Sequence, residues 1–355
     1  MVMAGGTGGH VFPALDVAME MRSRGWQVFW IGRPEGFEGR LLPQYNIELE
    51  AIEIQGVRGK GLIKKILMPV NLLLAVWQSV KIIQRRKPDV VLGMGGFASG
   101  PGGLAAWLMR KPLVIQEQNT IPGMTNSWLA RIAARVFEAF PGSFASTKNV
   151  RHSGNPVRPQ LFKTTPADKR ILMPEGRNPH LLVLGGSLGA QALNELIPQA
   201  IGMIEAEKRP EIIHQSGADK IAAAGKAYQD AGVAANVVSF IDDMYEAYSW
   251  ADLMICRSGA LTVSELTAVG VGSILVPFPY AVDDHQTKNA AYLVNAGAAE
   301  LYQQKDLTAQ LLASRIAALL SDKAKLTAMA NAAKSLAMPE SVNLIADACE
   351  EVAIC

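Results

Sequence analysis

Three short apolar runs are each followed by a glycine-rich segment, and this pattern restricts the fold of the 355-residue chain most strongly. The runs are Met1–Met3, Val90–Leu92 and Leu181–Leu184, and the segments that follow are Ala4–His10, Gly93–Gly103 and Gly185–Gly189. Glycine lacks a Cβ atom, so the backbone can turn sharply and approach a ligand closely. A strand, such a loop and a helix place bare N–H groups beside a positive helix end, which suits phosphate. Three such segments predict one or two diphosphate substrates.

Short β-rich apolar runs alternate with helix-like stretches along the whole chain, which predicts βαβ units and parallel sheets. Runs that are apolar on both faces are typical of strands that helices cover on each side. The chain is therefore predicted to have an α/β fold. The predicted strands are Gln27–Gly32, Val90–Gly93, Leu113–Gln116, Val136–Phe140, Leu181–Gly185, Ile212–Gln215, Val237–Ile241, Leu253–Cys256, Ser273–Val276 and Ala299–Tyr302.

The strand, glycine loop and helix pattern of the N-terminus begins again at Leu181, after a polar, proline-bearing stretch at 154–166. We therefore predict two doubly wound, Rossmann-like domains with a hinge near residue 157. The first spans 1–157 and a C-terminal helix at 338–355, and the second spans 158–337. Ligands of such sheets bind at the carboxyl ends of the strands, so two facing edges would form a cleft.

The charge is distributed unevenly between the two predicted domains. Residues 1–157 carry 18 lysines and arginines against 10 acidic residues, whereas residues 158–355 carry 16 against 22. The positive first half is the one expected to lie near an anionic surface. Nucleic acid is a poor candidate for that surface, because the aromatic content is only 6% and no basic run has interleaved aromatic residues.

One strongly apolar segment, Ile66–Trp77, lies between two groups of basic residues. It is too short to predict a transmembrane helix, which needs about 18 apolar residues or more. Two interpretations remain: a core helix with solvated ends, or a surface helix whose apolar face enters a membrane while the basic residues meet anionic headgroups. The positive charge of this half favours the membrane. The basic residues are Arg58, Lys60, Lys64, Lys65, Lys81, Arg85, Arg86 and Lys87.

The first glycine loop matches neither common nucleotide-binding motif. Val11 stands where a dinucleotide fingerprint has its third glycine, and no Gly-Lys-Ser/Thr follows as in a P-loop. A tight turn alone would explain one or two of its glycines but not four in five positions, so we expect contact with phosphate or sugar. His10 follows the loop at the predicted helix start, where it either accepts a proton from a sugar hydroxyl or merely caps or packs the turn.

The stretch Ile255–Glu265 has the pattern of a strand, a turn of small residues and a helix. Thr262 and Glu265 fit a Thr-x-x-Glu capping box, which is the structural explanation. In the functional explanation, backbone N–H groups from Ala260 onward bind phosphate, and Glu265 accepts hydrogen bonds from two vicinal ribose hydroxyls.

Polar side chains at two other predicted strand ends suit a sugar or phosphate ligand. Glu117, Gln118 and Asn119 are expected to point into the cleft, although loop polarity alone would explain them. The segment Asp283–Gln286 offers amides and carboxylates to sugar hydroxyls. No metal-ligand spacing is evident, since the five histidines are scattered. Helix dipoles and backbone donors would then stabilise a leaving diphosphate.

Together these segments resemble the MurG family of N-acetylglucosaminyltransferases, in order and nearly end to end. The resemblance implies a GT-B fold and an inverting transfer without metal or other cofactor. UDP-N-acetylglucosamine (UDP-GlcNAc) would be the donor, and the 4-hydroxyl of the muramyl sugar of lipid I, an undecaprenyl-diphosphate-linked muramyl-pentapeptide, would be the acceptor, giving lipid II. It also implies a peripheral enzyme on the cytoplasmic face of the inner membrane. The segments are Ala4–His10, Gly93–Gly103, Glu117–Asn119, Gly154–Arg158, Gly185–Ala190 and Arg257–Glu265.

The resemblance also implies roles for individual residues. Glu265 would hold the donor ribose, the Ile241 backbone the uracil, and Gln286 the sugar hydroxyls, with His10 as the catalytic base. Residues 58–87 would contact the anionic membrane surface. The other implied donor-binding residues are Thr7, Gly8, Gly9, Asn119, Arg158, Ser187, Ala260, Leu261, Thr262, Val263 and Ser264. The implied acceptor-binding residues are Gly5, Gly6, Gly95, Gly96 and Glu117.

The sequence departs from the family pattern at four positions: Gln116 replaces a frequent histidine, Phe97 a common tyrosine, Leu188 a glutamine, and His285 the first glutamine of a pair. The first two argue against an obligatory catalytic role at 116 and 97 and favour His10. Three alternatives stay open at this level. They are a sugar-nucleotide epimerase of the same double fold, a nicotinamide-dependent dehydrogenase and a non-catalytic sugar-nucleotide-binding protein.

Overall fold

The computed structural model describes residues 1–53, 62–144, 149–172, 177–186 and 189–354, with backbone alone for 62–68 and 282. The chain divides into two compact units. Unit 1 consists of Met1–Val157 and Met338–Cys355, and unit 2 of Arg158–Ala337. Both are built from parallel strands and helices, so the prediction of an α/β fold from two doubly wound, Rossmann-like domains is confirmed.

The described part of unit 1 contains a seven-stranded parallel sheet in the order β3-β2-β1-β4-β5-β6-β7. The strands are β1 (Val2–Met3), β2 (Phe29–Gly32), β3 (Glu48–Ala51), β4 (Val91–Gly93), β5 (Leu113–Glu117), β6 (Arg135–Glu138) and β7 (Val150–His152). The helices are α1 (Gly8–Ser23), α2 (Phe37–Leu41), α3 (Leu62–Arg86), α4 (Ser99–Leu108) and α5 (Met124–Leu129), together with the C-terminal α14 (Ser341–Ile354).

Helices cover both faces of this sheet because its central strands are apolar on both sides. Successive side chains of a strand point to opposite faces. Val2 accordingly packs into a cluster with residues of α1 and α14, and its neighbour Met3 into a second cluster with residues of α3 and α4. Both side chains are buried, so β1 is held from both faces and its carboxyl end has a fixed position.

The described part of unit 2 contains a six-stranded parallel sheet in the order β10-β9-β8-β11-β12-β13. The strands are β8 (His180–Leu184), β9 (Glu211–Gln215), β10 (Asn236–Val238), β11 (Leu253–Cys256), β12 (Gly272–Leu275) and β13 (Ala299–Leu301). The helices are α6 (Ala167–Ile171), α7 (Gln191–Gly202), α8 (Ile221–Asp230), α9 (Met244–Trp250), α10 (Ala260–Val269), α11 (His285–Asn295), α12 (Ala309–Ser321) and α13 (Lys323–Ser335).

The C-terminal helix α14 packs against α1 within unit 1. Its residues Ile345 and Cys349 are buried in the same cluster as Val2. Arg24, at the end of α1, donates to Asp347 at 2.6 Å and to Glu350 at 2.9 Å. The helix is therefore attached to unit 1 by both apolar packing and ion pairs.

Two strands of unit 1 were not predicted from the sequence, and both lie at edges of the sheet. Strand β3 is polar and partly exposed, and its Glu48 and Glu50 pair with Arg86 and Arg85 of α3. Strand β7 spans three residues and is also partly exposed. An edge strand needs fewer apolar residues than a central one, so neither segment carries the apolar run that marks the others. In unit 2, β10 ends at Val238, three residues before the predicted end.

Helix α3 combines the two interpretations of the apolar segment. Its second half is a core helix, because Ala75, Val76, Ile82 and Ile83 are buried against the sheet. Five apolar side chains in the middle of the helix are exposed: Val70, Leu72, Leu73, Leu74 and Trp77. The interpretation as a core helix with only its ends in solvent is therefore wrong for these five residues. Among the described residues, no helix is both long enough and apolar enough to span a bilayer.

Candidate active site

The first two glycine loops touch each other at the carboxyl ends of β1 and β4. A Cβ atom at Gly96 would lie 2.3 Å from the carbonyl oxygen of Gly5, and Gly96 has a φ of +83°. Only glycine fits such a close approach in this conformation without strain. Part of the glycine content of these loops therefore serves backbone packing, and the predicted contacts of Gly5, Gly6, Gly95 and Gly96 with a ligand stay predictions.

A buried carboxylate supports the first glycine loop from behind. Glu38 of α2 is 3% exposed and accepts hydrogen bonds from the N–H groups of Gly6, at 3.4 Å, and Arg33, at 3.1 Å. A Cβ atom at Gly5 would lie 2.8 Å from its Oε1. Glu38 was not predicted from the sequence, because nothing in the local pattern shows that α2 brings this side chain under the loop.

The first glycine loop leads into α1, a helix of 16 residues whose first N–H groups can bind a ligand. Thr7 is its N-cap residue and is exposed, as is Gly9. The first intrahelical bonds run from the N–H groups of His10 and Val11 to the Thr7 carbonyl, at 3.1 and 3.2 Å. The N–H groups of Gly8 and Gly9 precede these, where a helix has no acceptor for them. They suit the phosphate contact predicted for Thr7, Gly8 and Gly9.

His10 is the third residue of α1 and is half-buried. Its Nδ1 lies 2.7 Å from Oε1 of Gln118, which follows β5. A Cβ atom at Gly95 would lie 2.8 Å from the same Nδ1. The ring is thus held by groups from the ends of β4 and β5 rather than by a bond to the end of its own helix, so the capping alternative is wrong.

Two polar side chains at the end of β5, Glu117 and Gln118, are buried and hydrogen-bonded within unit 1, and their predicted orientation towards a ligand stays a prediction. The Glu117 side chain is 2% exposed. Its Oε1 accepts from the Asn119 N–H at 2.9 Å, and its Oε2 from Asn126 Nδ2 at 2.9 Å and the Gly123 N–H at 3.1 Å. Glu117 therefore shapes the loop that carries Asn119, and a direct contact of either residue with substrate stays a prediction.

In unit 2, the third glycine loop joins β8 to α7. Gly189 has a φ of +67°, and a Cβ atom there would lie 1.7 Å from the carbonyl oxygen of Ser216. The Gly185 N–H donates to the Gln215 carbonyl at 3.2 Å. Both glycines are required by the close approach to the end of β9. Ser187 and Leu188 lie outside the described residues, so the predicted diphosphate contact of Ser187 stays a prediction.

Helix α10 begins at Ala260, with Gly259 as its N-cap residue. The capping-box explanation is therefore wrong, because Thr262 lies inside the first turn and not at the N-cap. The Val263 N–H donates to the Gly259 carbonyl at 2.9 Å. The N–H groups of Leu261 and Thr262 precede this first intrahelical donor, where a helix has no acceptor for them, so they lie at its positive end. Contacts of Ala260–Ser264 with a diphosphate stay predictions.

Glu265 lies one turn into α10 and accepts a hydrogen bond from the hydroxyl of Tyr248 at 2.8 Å. Tyr248 of α9 is fully buried, and Glu265 is half-buried. Burial raises the pKa of Glu265, while the Tyr248 hydrogen bond and the positive charge of Arg158 oppose that rise. Burial also raises the pKa of Tyr248 well above its usual value, so this hydroxyl stays protonated. Tyr248 was not predicted from the sequence, because its contact with Glu265 depends on the packing of α9 against the sheet.

The loop between β12 and α11 is held by two side chains. Gln286 of α11 accepts a hydrogen bond at Oε1 from the Phe278 N–H at 2.8 Å, which leaves its Nε2 as the donor for another group. Arg257, which follows β11, donates to the carbonyls of Val276 and Pro277 at 2.9 and 3.0 Å. Burial lowers the pKa of Arg257. Arg257 was not predicted to have this supporting role, because its partners are distant in sequence.

Ile241 and Arg158 are the remaining residues predicted to bind the donor. Ile241, whose backbone is predicted to hold uracil, lies between β10 and α9 rather than inside a strand. Arg158 is exposed at the first position of unit 2. Across the described ranges, no group of three or more histidine, cysteine, aspartate or glutamate side chains has an arrangement that could hold a metal ion.

Two doubly wound units with helix N-termini and polar groups at their strand ends are the architecture of the GT-B class, and two family models show that the chain is a glycosyltransferase of this class. Residues 1–138 match the family model for the glycosyltransferase family 28 N-terminal domain. Residues 180–345 match the model for the C-terminal domain of the same family.

Similar proteins of known family identify the family within this class. The chain is 50% identical over 353 residues, which are 99% of this chain and 97% of the relative, to the UDP-N-acetylglucosamine--N-acetylmuramyl-(pentapeptide) pyrophosphoryl-undecaprenol N-acetylglucosamine transferase of Marinobacter nauticus. It is 41% identical to MurG of Acinetobacter baumannii, whose crystal structure superimposes with a TM-score of 0.86 and 99% coverage of both chains. The chain belongs to the MurG family.

A likeness to an epimerase is confined to the fold. The crystal structure of a putative UDP-N-acetylglucosamine 2-epimerase from Listeria monocytogenes superimposes with a TM-score of 0.69, covering 96% of this chain and 93% of that one. The sequence identity is only 15%. Family membership therefore favours the glycosyltransferase over the epimerase and the dehydrogenase.

Proposed function

We propose that this protein transfers N-acetylglucosamine from UDP-GlcNAc to the 4-hydroxyl of the muramyl sugar of lipid I, giving lipid II for peptidoglycan synthesis. The observation that carries this proposal is 50% identity over 99% of the chain to a transferase named for this reaction. Unit 2 would bind the donor, and unit 1 the lipid-linked acceptor.

The donor site is built around Glu265 of α10. Its carboxylate accepts hydrogen bonds from two vicinal ribose hydroxyls. The Tyr248 hydroxyl donates to Oε2 of this carboxylate and fixes its position. The backbone of Ile241 binds the uracil. The N–H groups at the start of α10, together with Ser187 and Arg158, contact the diphosphate, and the helix dipole stabilises the negative charge of the leaving UDP. Gln286 donates from Nε2 to a hydroxyl of the sugar.

The acceptor chemistry belongs to the start of α1. His10 removes the proton from the acceptor hydroxyl, the oxygen forms a bond to the anomeric carbon, and the bond from that carbon to the UDP oxygen breaks. A single displacement of this kind converts an α-linked sugar to a β-linked one. Two parts of unit 1 also contact the donor. Thr7, Gly8 and Gly9 direct their backbone N–H groups towards its diphosphate, and Asn119 reaches it from the loop that Glu117 shapes.

A face of unit 1 carries the features expected of an anionic membrane contact. Helices α3, α4 and α5 are neighbours, and each exposes a tryptophan: Trp77, Trp107 and Trp128. The ammonium group of Lys81 lies 3.5 Å from the Trp77 ring centre, and the guanidinium of Arg131 lies 5.0 Å from that of Trp128. Tryptophan with an adjacent cation suits the boundary between headgroups and acyl chains. We propose peripheral binding there, at the cytoplasmic face of the inner membrane, with residues 58–87 as one part, of which 58–61 lie outside the described residues.

The function is tested with radiolabelled UDP-GlcNAc and a short-chain lipid I analogue in the presence of EDTA. Label in a disaccharide-lipid supports the proposal. Free N-acetylmannosamine would instead indicate an epimerase, and the absence of turnover with intact UDP-GlcNAc binding would indicate a non-catalytic protein.

A further inference from the structure

We infer that Gln118 is a positioning residue that fixes the tautomer of His10, with the proton on Nδ1 and the lone pair on Nε2. The inference rests on the proposed role of His10 as the base. The contact that carries it is the 2.7 Å separation between His10 Nδ1 and Gln118 Oε1.

The orientation of the Gln118 amide follows from its other partners. Its Nε2 lies 2.9 Å from the Met94 carbonyl oxygen, which can only accept a hydrogen bond. It also lies 2.6 Å from Oε1 of Gln116. The NH₂ group therefore occupies this side, and Oε1 faces His10. Because an amide oxygen can only accept, Nδ1 of His10 must donate.

A second layer of amides holds Gln118 and Gln116 in place. Nε2 of Gln116 donates to the Glu117 carbonyl at 3.1 Å and to Oδ1 of Asn155 at 3.0 Å. Asn155 in turn donates from Nδ2 to the Gln118 carbonyl at 3.1 Å. Backbone carbonyls thus fix the orientation of all three amides. Their side chains are at most 2% exposed, so water does not compete for these bonds.

The consequence for catalysis is a base that is oriented before substrate binds. A neutral imidazole with a proton on Nδ1 presents the lone pair of Nε2, which takes the acceptor proton. The resulting imidazolium keeps its Nδ1–H bond to Gln118. The neutral amide takes no proton itself, so its role is to orient and select the tautomer.

The tautomer can be measured without activity. In the full-length protein labelled with ¹⁵N, imidazole nitrogen shifts distinguish a protonated Nδ1 from a protonated Nε2. The chain has five histidines, and a His10→Gln variant identifies the signals of His10. We expect protonated Nδ1 in the neutral ring. A neutral ring with its proton on Nε2 would overturn the inference, whatever the role of His10 in turnover.

Kinetics test whether the orientation matters. Gln118→Met keeps the side-chain length and removes the acceptor, so kcat should fall on the order of 10- to 100-fold while the KM for UDP-GlcNAc stays nearly unchanged. In a His10→Ala background the same substitution should cause no further fall. Independent losses from the two substitutions would contradict a positioning role. Wild-type turnover of His10→Ala alone would instead refute the proposed base and leave the NMR result to decide the tautomer.

A Gln118→Glu variant guards against a purely structural effect of Gln118→Met. A carboxylate at this position loses the bonds to Met94 and Gln116, as Gln118→Met does, but it still accepts from Nδ1 and stabilises the imidazolium. The acidic limb of the kcat profile should therefore move to higher pH. An unchanged limb in a folded variant would show that residue 118 does not act through His10.

Discussion

His10 is the side chain on which the proposed chemistry depends most. Replacing it with alanine should lower kcat by about 10²-fold or more, because the acceptor hydroxyl loses its general base. The KM for UDP-GlcNAc should change little, since the contacts proposed for the donor uracil, ribose and sugar lie in unit 2, at Ile241, Glu265 and Gln286. Steady-state kinetics with a short-chain acceptor measure both parameters, and turnover close to that of the wild type would exclude His10 as the base.

Glu265 should give donor binding a pH dependence. The ionised carboxylate accepts hydrogen bonds from the ribose hydroxyls, and burial raises its pKa. As the pH falls, the carboxylate is protonated and the KM for UDP-GlcNAc should rise, beginning at a higher pH than for an exposed glutamate. Tyr248→Phe removes a hydrogen bond that stabilises the carboxylate, which should move this rise to still higher pH. Glu265→Ala should raise the KM at every pH and abolish the transition. A donor KM that Glu265→Ala leaves unchanged would refute the assignment.

Single residues differ in how well the sequence predicts them. His10 and Glu265 stand in local patterns, a glycine loop and a small-residue turn, which relate them to a ligand without knowledge of the fold. Glu38, Gln118, Tyr248 and Arg257 contribute through partners that are distant in sequence or belong to another element. Their contacts depend on tertiary packing, so a sequence pattern cannot reveal them.

Among the structural elements, the second glycine loop is predicted to be sensitive at Gly95. Gly95→Ala puts a methyl group 2.8 Å from His10 Nδ1, at a φ of +90°. The substitution should displace the ring and abolish most turnover. Gly25→Ala is the matched control, because Gly25 has a φ of +91° and open space around its Cβ position.

Both variants should lose about 1–2 kcal/mol of folding free energy from backbone strain, as measured by denaturant unfolding. Only Gly95→Ala should also lose activity well below its unfolding midpoint. Equal activity in the two variants would mean that the contact between Gly95 and His10 is irrelevant to the reaction.

The prediction for membrane binding concerns the exposed apolar side chains of helix α3. Leu73→Glu with Trp77→Glu places two charges on side chains that are 70% and 53% exposed, so sedimentation with anionic vesicles should weaken while activity on a soluble acceptor persists. Leu172→Glu with Met203→Glu makes the same change at exposed apolar positions of unit 2 and should leave vesicle binding intact. Equal sedimentation of both double variants would argue against α3 as the contact.

Strong apolar runs predict the central strands well, and β11 has the predicted bounds of Leu253–Cys256. Strands β3 and β7 were missed because an edge position needs little apolar sequence. Helix α3 shows another limit. From the sequence alone, its apolar residues 70–77 fit either a core helix or a membrane-surface helix, and only the packing against the sheet determines which side chains are covered.

At the scale of the whole molecule, each unit has its own buried cluster. Ile345 of α14 and Ile316 of α12 are both fully buried, one in each unit. Replacing either with alanine should cost about 2–5 kcal/mol, and hydrogen exchange should show the loss of protection in the unit that carries the substitution. If each variant instead shows faster hydrogen exchange in both units, the two units unfold together.

The sequence predicts two domains because the strand and glycine-loop pattern starts twice, and the polar stretch at 154–166 separates the repeats. Periodicity also predicts the last helix. The pairing of α14 with α1 depends on Arg24, Asp347 and Glu350, whose separation of more than 300 positions no local pattern encodes.

The return of the chain to unit 1 has a consequence for protein synthesis. Unit 2 is one continuous stretch and can fold as it emerges from the ribosome, although it is translated second. Unit 1 must wait for α14, because Ile345, Cys349 and Val352 complete the cluster around α1. The half of the molecule that is made first is thus finished last, and until then the apolar face that α14 later covers has no partner from its own chain.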